Sequence, residues 1–114
     1  MRRVVEIRSY TLKPNSRDEF HRLVRDEAMP MLERWAMDVV AYGPSLHEEN
    51  SYFLMRSFAG VDDLQQQEDA FYGSDEWRQG PREAILELIE TYISVIVEVD
   101  EAALAALRGI DAGT

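Results

Sequence analysis

Val4, Val5 and Ile7 open a stretch that alternates loosely to Leu12, and this spacing predicts a first strand over residues 4–12. Pro14-Asn15 should stop it, because proline has no ladder donor and asparagine accepts a left-handed backbone. Ser16 with Glu19 has the spacing of a capping box. Phe20, Leu23, Val24, Met31 and Trp35 then fall on one helical stripe, with Pro30 inside it expected to kink the helix or cost it a backbone bond. Residues 38–42 predict strand two, ended by Gly43-Pro44, and a polar turn through His47 leads to strand three over residues 51–58. A short polar helix is expected over 61–71. Ser74 should cap the next helix with acids in its first turn, and Gly80-Pro81 should divide that segment, Pro81 taking the first position of a new helix. Trp77, Ala84, Ile85, Leu88 and Ile89 form its apolar stripe. Residues 92–99 predict strand four, and 101–108 a short alanine-rich helix closed by Gly109, with the last residues frayed.

Strand, helix, hairpin, helices, strand is the βαββαβ order of an α+β, ferredoxin-like fold with a four-stranded antiparallel sheet. Strands one and three should be central, with four beside one and two beside three. Residues 1–100 form the domain on this reading, and 101–114 a C-terminal helix and tail.

Side chains alternate across a strand, so two faces can be sorted by parity. Val5, Ile7, Phe53, Met55, Ile93, Val95 and Val97 share one face, conventional enough for helices to cover. The other holds Val4, Glu6, Arg8, Tyr10, Tyr52, Leu54, Arg56, Phe58, Tyr92, Ser94, Ile96 and Glu98. That face is too aromatic for solvent and too charged for an ordinary core. Packing against the same face of a second subunit would account for both features, so a homodimer is expected.

Composition narrows the partners. Net charge is −10, from 22 acidic and 12 basic residues, with no basic stripe, which argues against nucleic acid and anionic membranes. The chain of 114 residues has no cysteine, so disulfides and thiolate metal sites are excluded. Strand one starts so close to Met1 that no targeting segment is expected, nor is there an apolar run long enough to span a membrane. The expected setting is therefore a soluble protein of the cytoplasm.

Glu6, Arg8, Arg56 and Glu98 fit either an ion-pair network or general acid–base groups. Tyr10, Tyr42, Tyr52 and Tyr92 could orient a ligand by their hydroxyls or serve as interface aromatics. His21 should sit at a helix edge on the surface, and His47 in the turn at the end of the sheet, either solvated or at the mouth of a cleft. Trp35 and Trp77 read as packing residues, and Ser74 as a cap rather than a nucleophile. The candidate ligand-binding set is Glu6, Arg8, Tyr10, Tyr42, His47, Tyr52 and Arg56. No metal site is expected, because neither histidine has a paired ligand spacing, and no glycine-rich phosphate loop implies a nucleotide.

Glu6-x-Arg8-x-Tyr10-x-Leu12-Lys13-Pro14 resembles the opening of NIPSNAP-family domains. Pro30, Tyr42-Gly43, Tyr52-Phe53-Leu54-Met55-Arg56 and Ser74-Asp75-Glu76-Trp77 follow in matching order, over residues 4–99. One departure is Asn15, where the family often has glycine. The resemblance implies a dimeric α+β barrel, and it brings no catalytic set, since the family has no settled reaction. Related barrels include cofactor-free monooxygenases, haem-degrading enzymes and small-ligand sensors.

The function expected is thus a small-molecule-binding homodimer with a cleft between sheet and helices or between two sheets. Its enzymatic form would be an oxygenase or isomerase that needs no cofactor and acts on an aromatic or quinone-like compound, with Arg8 or Arg56 holding negative charge on oxygen. The alternative is a non-enzymatic interaction or scaffold protein, whose sheet interface would be packed shut. Haem binding would need His21 or His47 in the cleft as an axial ligand.

Overall fold

The computed structural model describes residues 2–109, so the tail expected to fray lies beyond Gly109, outside the described residues. β1 (Arg2–Leu12) leads through a turn to α1 (Arg17–Leu23), which continues as a π-helical turn (Val24–Ala28) into α2 (Met29–Arg34). β2 (Asp38–Pro44) and β3 (Ser51–Phe58) form the hairpin. Then come α3 (Val61–Tyr72), α4 (Asp75–Gln79), α5 (Arg82–Glu87), β4 (Ile89–Asp100) and α6 (Glu101–Leu107). The sheet is antiparallel in the order β2-β3-β1-β4, the ferredoxin-like arrangement. Among the described residues no helix is long and apolar enough to cross a membrane.

Local chemistry explains most boundaries. Asn15 takes a left-handed φ of 63°, the geometry for which glycine is common there. The Ser74 hydroxyl accepts from the Trp77 N–H at 3.2 Å and so caps α4. Pro81 stands one position earlier than expected, at the cap of α5. A Cβ on the preceding Gly80 would lie 2.5 Å from the Glu76 carbonyl oxygen, so the short turn between α4 and α5 requires glycine.

Three local expectations fail: the cap at Ser16, Trp35 on the buried stripe and Ala84 on the next one. Ser16 makes no side-chain cap, because its backbone is helical (φ −99°, ψ −9°) and lacks the extended geometry from which a capping hydroxyl, like that of Ser74, reaches the first-turn N–H groups. The helix answers Pro30 by widening into a π turn just before it, which accommodates the missing N–H and rotates the stripe. Ala28 and Leu32 are buried as a result, while Trp35, 37% exposed, lies edge-on to Phe71 and donates to Glu76 at 2.8 Å. Ala84 points outward, because α5 buries only Ile85 and the chain straightens into β4 from Ile89.

The larger correction concerns the sheet faces. Parity groups the residues correctly: Glu6 faces Arg56, Arg8 faces Leu54 and Tyr10 faces Tyr52 across β1 and β3. Yet the helices cover this mixed face. Val4, Tyr10, Tyr52, Leu54 and Phe58 form the main core with Phe20, Leu23, Met31, Leu64, Phe71, Trp77 and Ile85. The charges are tolerated there because they neutralise one another inside the core. The conventional apolar face is the open one. α6 covers one end of it, Leu104 packing on Val5 and Val40 while Arg108 binds Asp38 at 2.6 Å. Further along, Ile93 and Val95 stay 66% and 51% exposed.

Candidate functional site

Arg56 enters the core from the central strand β3 and is fully buried, 0% exposed. Its Nη2 donates to Glu6 Oε1 at 2.7 Å and to Glu68 Oε2 at 3.1 Å, and its Nη1 donates to the Tyr72 hydroxyl at 2.8 Å. Arg8, next along that face of β1, repeats the pattern nearer the surface. It donates to Glu6 at 3.1 Å and to Tyr72 at 3.2 Å, and lies 3.5 Å from Glu68. Two guanidiniums, two carboxyls and one phenol therefore close a network between the sheet and α3. Arg8 is also held by Ser94 at 3.2 Å and stacks over the Tyr92 ring, 4.8 Å from its centre.

One side of this network is a wall of a cavity of about 540 Å³, between β1, β4 and the segment from α3 to α5. Arg8, Glu68 and Tyr72 supply the polar wall, Tyr10, Trp77, Ile85 and Tyr92 the aromatic and apolar one, and Arg82 stands at the rim with Asp69. The volume suits a small organic molecule. A narrow apolar recess of about 40 Å³ behind Tyr10, Tyr72, Trp77 and Ile85 continues toward Phe20 and Leu54.

The two carboxyls are driven apart. Burial alone would raise Glu6, but the hydrogen bond it shares with Glu68 and the charges of Arg56 and Arg8 hold it down, at about 2. Burial, and then the same shared hydrogen bond, push Glu68 up to about 7 against the pull of the guanidiniums. The pair thus holds its last proton on Glu68, the member that faces the cavity. Burial and Tyr72 raise the Tyr10 phenol to about 12, so it stays a neutral donor.

Of the residues singled out from sequence, Glu6, Arg8 and Arg56 meet in this network, and Tyr10 lines the cavity. Tyr52 is fully buried one row away, edge-on to Phe20, with its hydroxyl 2.6 Å from His21 Nδ1. His21 is half-buried rather than on the surface, and burial, then Arg25, hold its ring below its ordinary value. Tyr42 sits on the far edge strand beside His21, since a bulge between Val39 and Ala41 turns it to the helix side. His47 stays in the β2–β3 turn, 2.5 Å from the Ser45 hydroxyl. Neither histidine lines the cavity, so these residues do not supply a haem iron with an axial ligand. Among the described residues no group of three or more His, Asp or Glu is placed to hold a metal ion.

Glu68, Tyr72 and Arg82 escape a strand-by-strand reading. The signal for the first two lies in α3: Leu64, Glu68, Phe71 and Tyr72 fall at helical spacing, so a carboxyl stands on the stripe that meets the sheet.

The same architecture recurs in solved structures. A NIPSNAP family protein from Agrobacterium tumefaciens superposes with a TM-score of 0.80 at 18% identity, over 90% of each chain. A NIPSNAP-like domain protein from Burkholderia xenovorans gives 0.78 at 19% identity, over 87% of this chain and 86% of that one. A putative antibiotic biosynthesis monooxygenase from Bordetella bronchiseptica gives 0.66 at 20% identity, over 89% and 98%. These likenesses concern the fold. No curated protein matches in sequence. The NIPSNAP family model, however, matches residues 5–98, nearly the whole sheet with its helices, and the chain belongs to the NIPSNAP family.

Proposed function

We propose that this protein is a small-molecule-binding homodimer of the cytoplasm, and that its ligand is an aromatic or quinone-like compound seated between the sheet and α3–α5. The observation that carries this reading is the buried Arg8–Glu6–Arg56–Glu68–Tyr72 network opening on a 540 Å³ cavity with aromatic walls. A purely structural ion-pair network would have little reason to end on an organised cavity, with one carboxyl held near neutral titration. The alternative, a scaffold whose sheet interface is packed shut, gives this cavity between sheet and helices no role.

In enzymatic form the chemistry would be proton removal. Glu68, ionised, takes the proton of an acidic ring hydroxyl or enolisable carbon, and the electron pair left behind sits as oxyanion against Arg8 and the Tyr72 hydroxyl. An isomerase returns that proton to a different carbon. An oxygenase instead lets the anion pass an electron to dioxygen, and the substrate radical and superoxide join in a C–O bond. The peroxide takes the proton from Glu68, and its O–O bond breaks as the ring carbon loses its hydrogen, leaving a carbonyl and water. This chemistry fits a fold shared with a putative antibiotic biosynthesis monooxygenase.

Thermal-shift screening of hydroxylated aromatics and quinones, followed by NMR mapping, tests the site. Hits should perturb Trp77, Tyr72 and Tyr92, and Arg8→Gln should weaken them about ten- to a hundredfold by removing a charged hydrogen bond. Hits that map away from this cavity would overturn the assignment.

Support for the dimer is the open apolar face, where Ile7 and Met55 are half-buried and Ile93 and Val95 exposed. Its self-association should bury more than about 1,200 Å² in total. Sedimentation at tens of micromolar should show a dimer; a monomer would refute it, and Ile93→Glu should shift the equilibrium toward monomer.

A further inference from the structure

The charges around the cavity are balanced before any ligand arrives. Arg8 and Arg56 face Glu6 and Glu68, while Arg82 and Asp69 stand at the rim. Tyr10, Tyr72 and Tyr92, from β1, α3 and β4, complete the set of titratable groups around Glu68. An incoming anion would place a third negative charge against two buried guanidiniums, in a place where poor solvation makes an uncompensated charge costly. The network has a place to discharge that excess. Glu6 makes the shorter contacts, 2.7 Å to Arg56 and 3.1 Å to Arg8, and is the more deeply buried of the two carboxyls. Glu68 makes the longer contacts, 3.1 Å to Arg56 and 3.5 Å to Arg8, faces the cavity, and when protonated has Glu6 as a ready acceptor. Neutralising Glu68 would leave the cluster with one net positive charge, with Arg8 held at the cavity wall by Glu6, Tyr72 and Ser94 to meet a ligand.

We propose that the cavity takes aromatic monoanions, and that each anion is bound together with one proton on Glu68. The inference rests on the cavity reading above and specifies its ligand class. For a substrate with an acidic hydroxyl, the neutral molecule brings the proton itself, and transfer to Glu68 generates the same complex without net uptake. A permanent anion such as an aromatic carboxylate must draw the proton from solvent.

Benzoate, ionised throughout the range from pH 5.5 to 8.5, is the probe, with benzyl alcohol as its neutral counterpart. Calorimetry at constant ionic strength, in two buffers of different ionisation heat, counts the protons taken up. Uptake should approach one per benzoate at pH 8 and vanish at pH 5.5. Affinity should fall about tenfold per pH unit once Glu68 ionises in the free protein. Glu68→Gln mimics the protonated side chain, so it should bind benzoate with no uptake and with wild-type low-pH affinity across the range. The wild-type Glu68 carboxyl carbon, followed by NMR, should move to its protonated position when benzoate is added at pH 8, a readout that does not depend on the variant folding. Benzoate seated in the cavity with no uptake and flat pH dependence would overturn the coupling. Benzyl alcohol in the cavity while benzoate binds nowhere would overturn the anion class and leave the cavity reading standing. Neither probe in the cavity would count against both.

Discussion

Arg56→Met should destabilise the folded protein by about 3–5 kcal/mol, the usual cost of stranding a buried charge. Arg56 is fully buried and supplies the shortest contact to Glu6, as well as donors to Glu68 and Tyr72. Methionine would fill most of its volume, and no cavity of consequence would form. What remains is two carboxyls a hydrogen bond apart, with only Arg8 to balance them. The double change Arg56→Met with Glu6→Gln should be less damaging than Arg56→Met alone, since it removes the stranded charge with its partner. Denaturant unfolding of the four proteins at pH 7 and matched concentration gives the coupling energy. Additive effects within about 0.5 kcal/mol would refute the pairing. Replacing a whole buried ion-pair cluster by apolar residues of similar volume is often neutral or stabilising. A network of this kind is therefore easier to understand as a device that holds Arg8 and Glu68 in place than as a source of stability.

How much of this was legible in the sequence follows from what each signal measures. Alternation reports which side chains share a face, and it placed Glu6, Arg8, Tyr10, Tyr52 and Arg56 together, as the register of β1 and β3 requires. It carries no information on which face the helices choose. Apolar Val5, Ile7, Val95 and Val97 looked like the natural core, but the helices instead pack on Tyr10, Tyr52 and Phe58, where aromatic area compensates for the enclosed charges. The helix–sheet core also consumed Tyr52, whose ring packs on Phe20 instead of reaching the cavity. Tyr42 depended on a bulge in β2, and a one-residue irregularity reverses every parity beyond it. α2 gives way to a left-handed Ala36, φ 56°, with no glycine to mark the place. Glu68 was hidden for a different reason. A glutamate in a polar helix reads as solvated, and only its phase relative to Leu64 and Phe71 shows that it faces the sheet.

Glu68→Gln should make the protein more stable at pH 8, by about 1–3 kcal/mol relative to its effect at pH 4.5. In the unfolded chain Glu68 titrates near its ordinary value of 4.5, whereas burial and the hydrogen bond with Glu6 raise it to about 7 in the folded protein. Between those values the folded state keeps a proton that the unfolded state has released. This group's contribution to stability therefore falls as pH rises from 4.5 to 7, and the deficit is complete above 7. Glu6 acts in the opposite sense. Held at about 2, its contribution is present above 4.5 and is lost as pH falls toward 2, so it does not obscure the upper window. Glutamine retains an oxygen to accept from Arg56 and an amide to donate to Glu6, without the charge that costs the fold at high pH. The variant and the wild type should therefore have similar unfolding free energies near pH 4.5 and diverge up to pH 8, when measured by urea titration at one protein concentration. Divergence would mean that the fold tolerates an unfavourable ionised carboxylate at its cavity, a penalty often found where a group is kept for chemistry rather than for stability. A difference that stays flat across that range would mean that Glu68 titrates as an ordinary surface carboxyl, and both its role as a base and its proton-coupled binding of anions would lose their physical support.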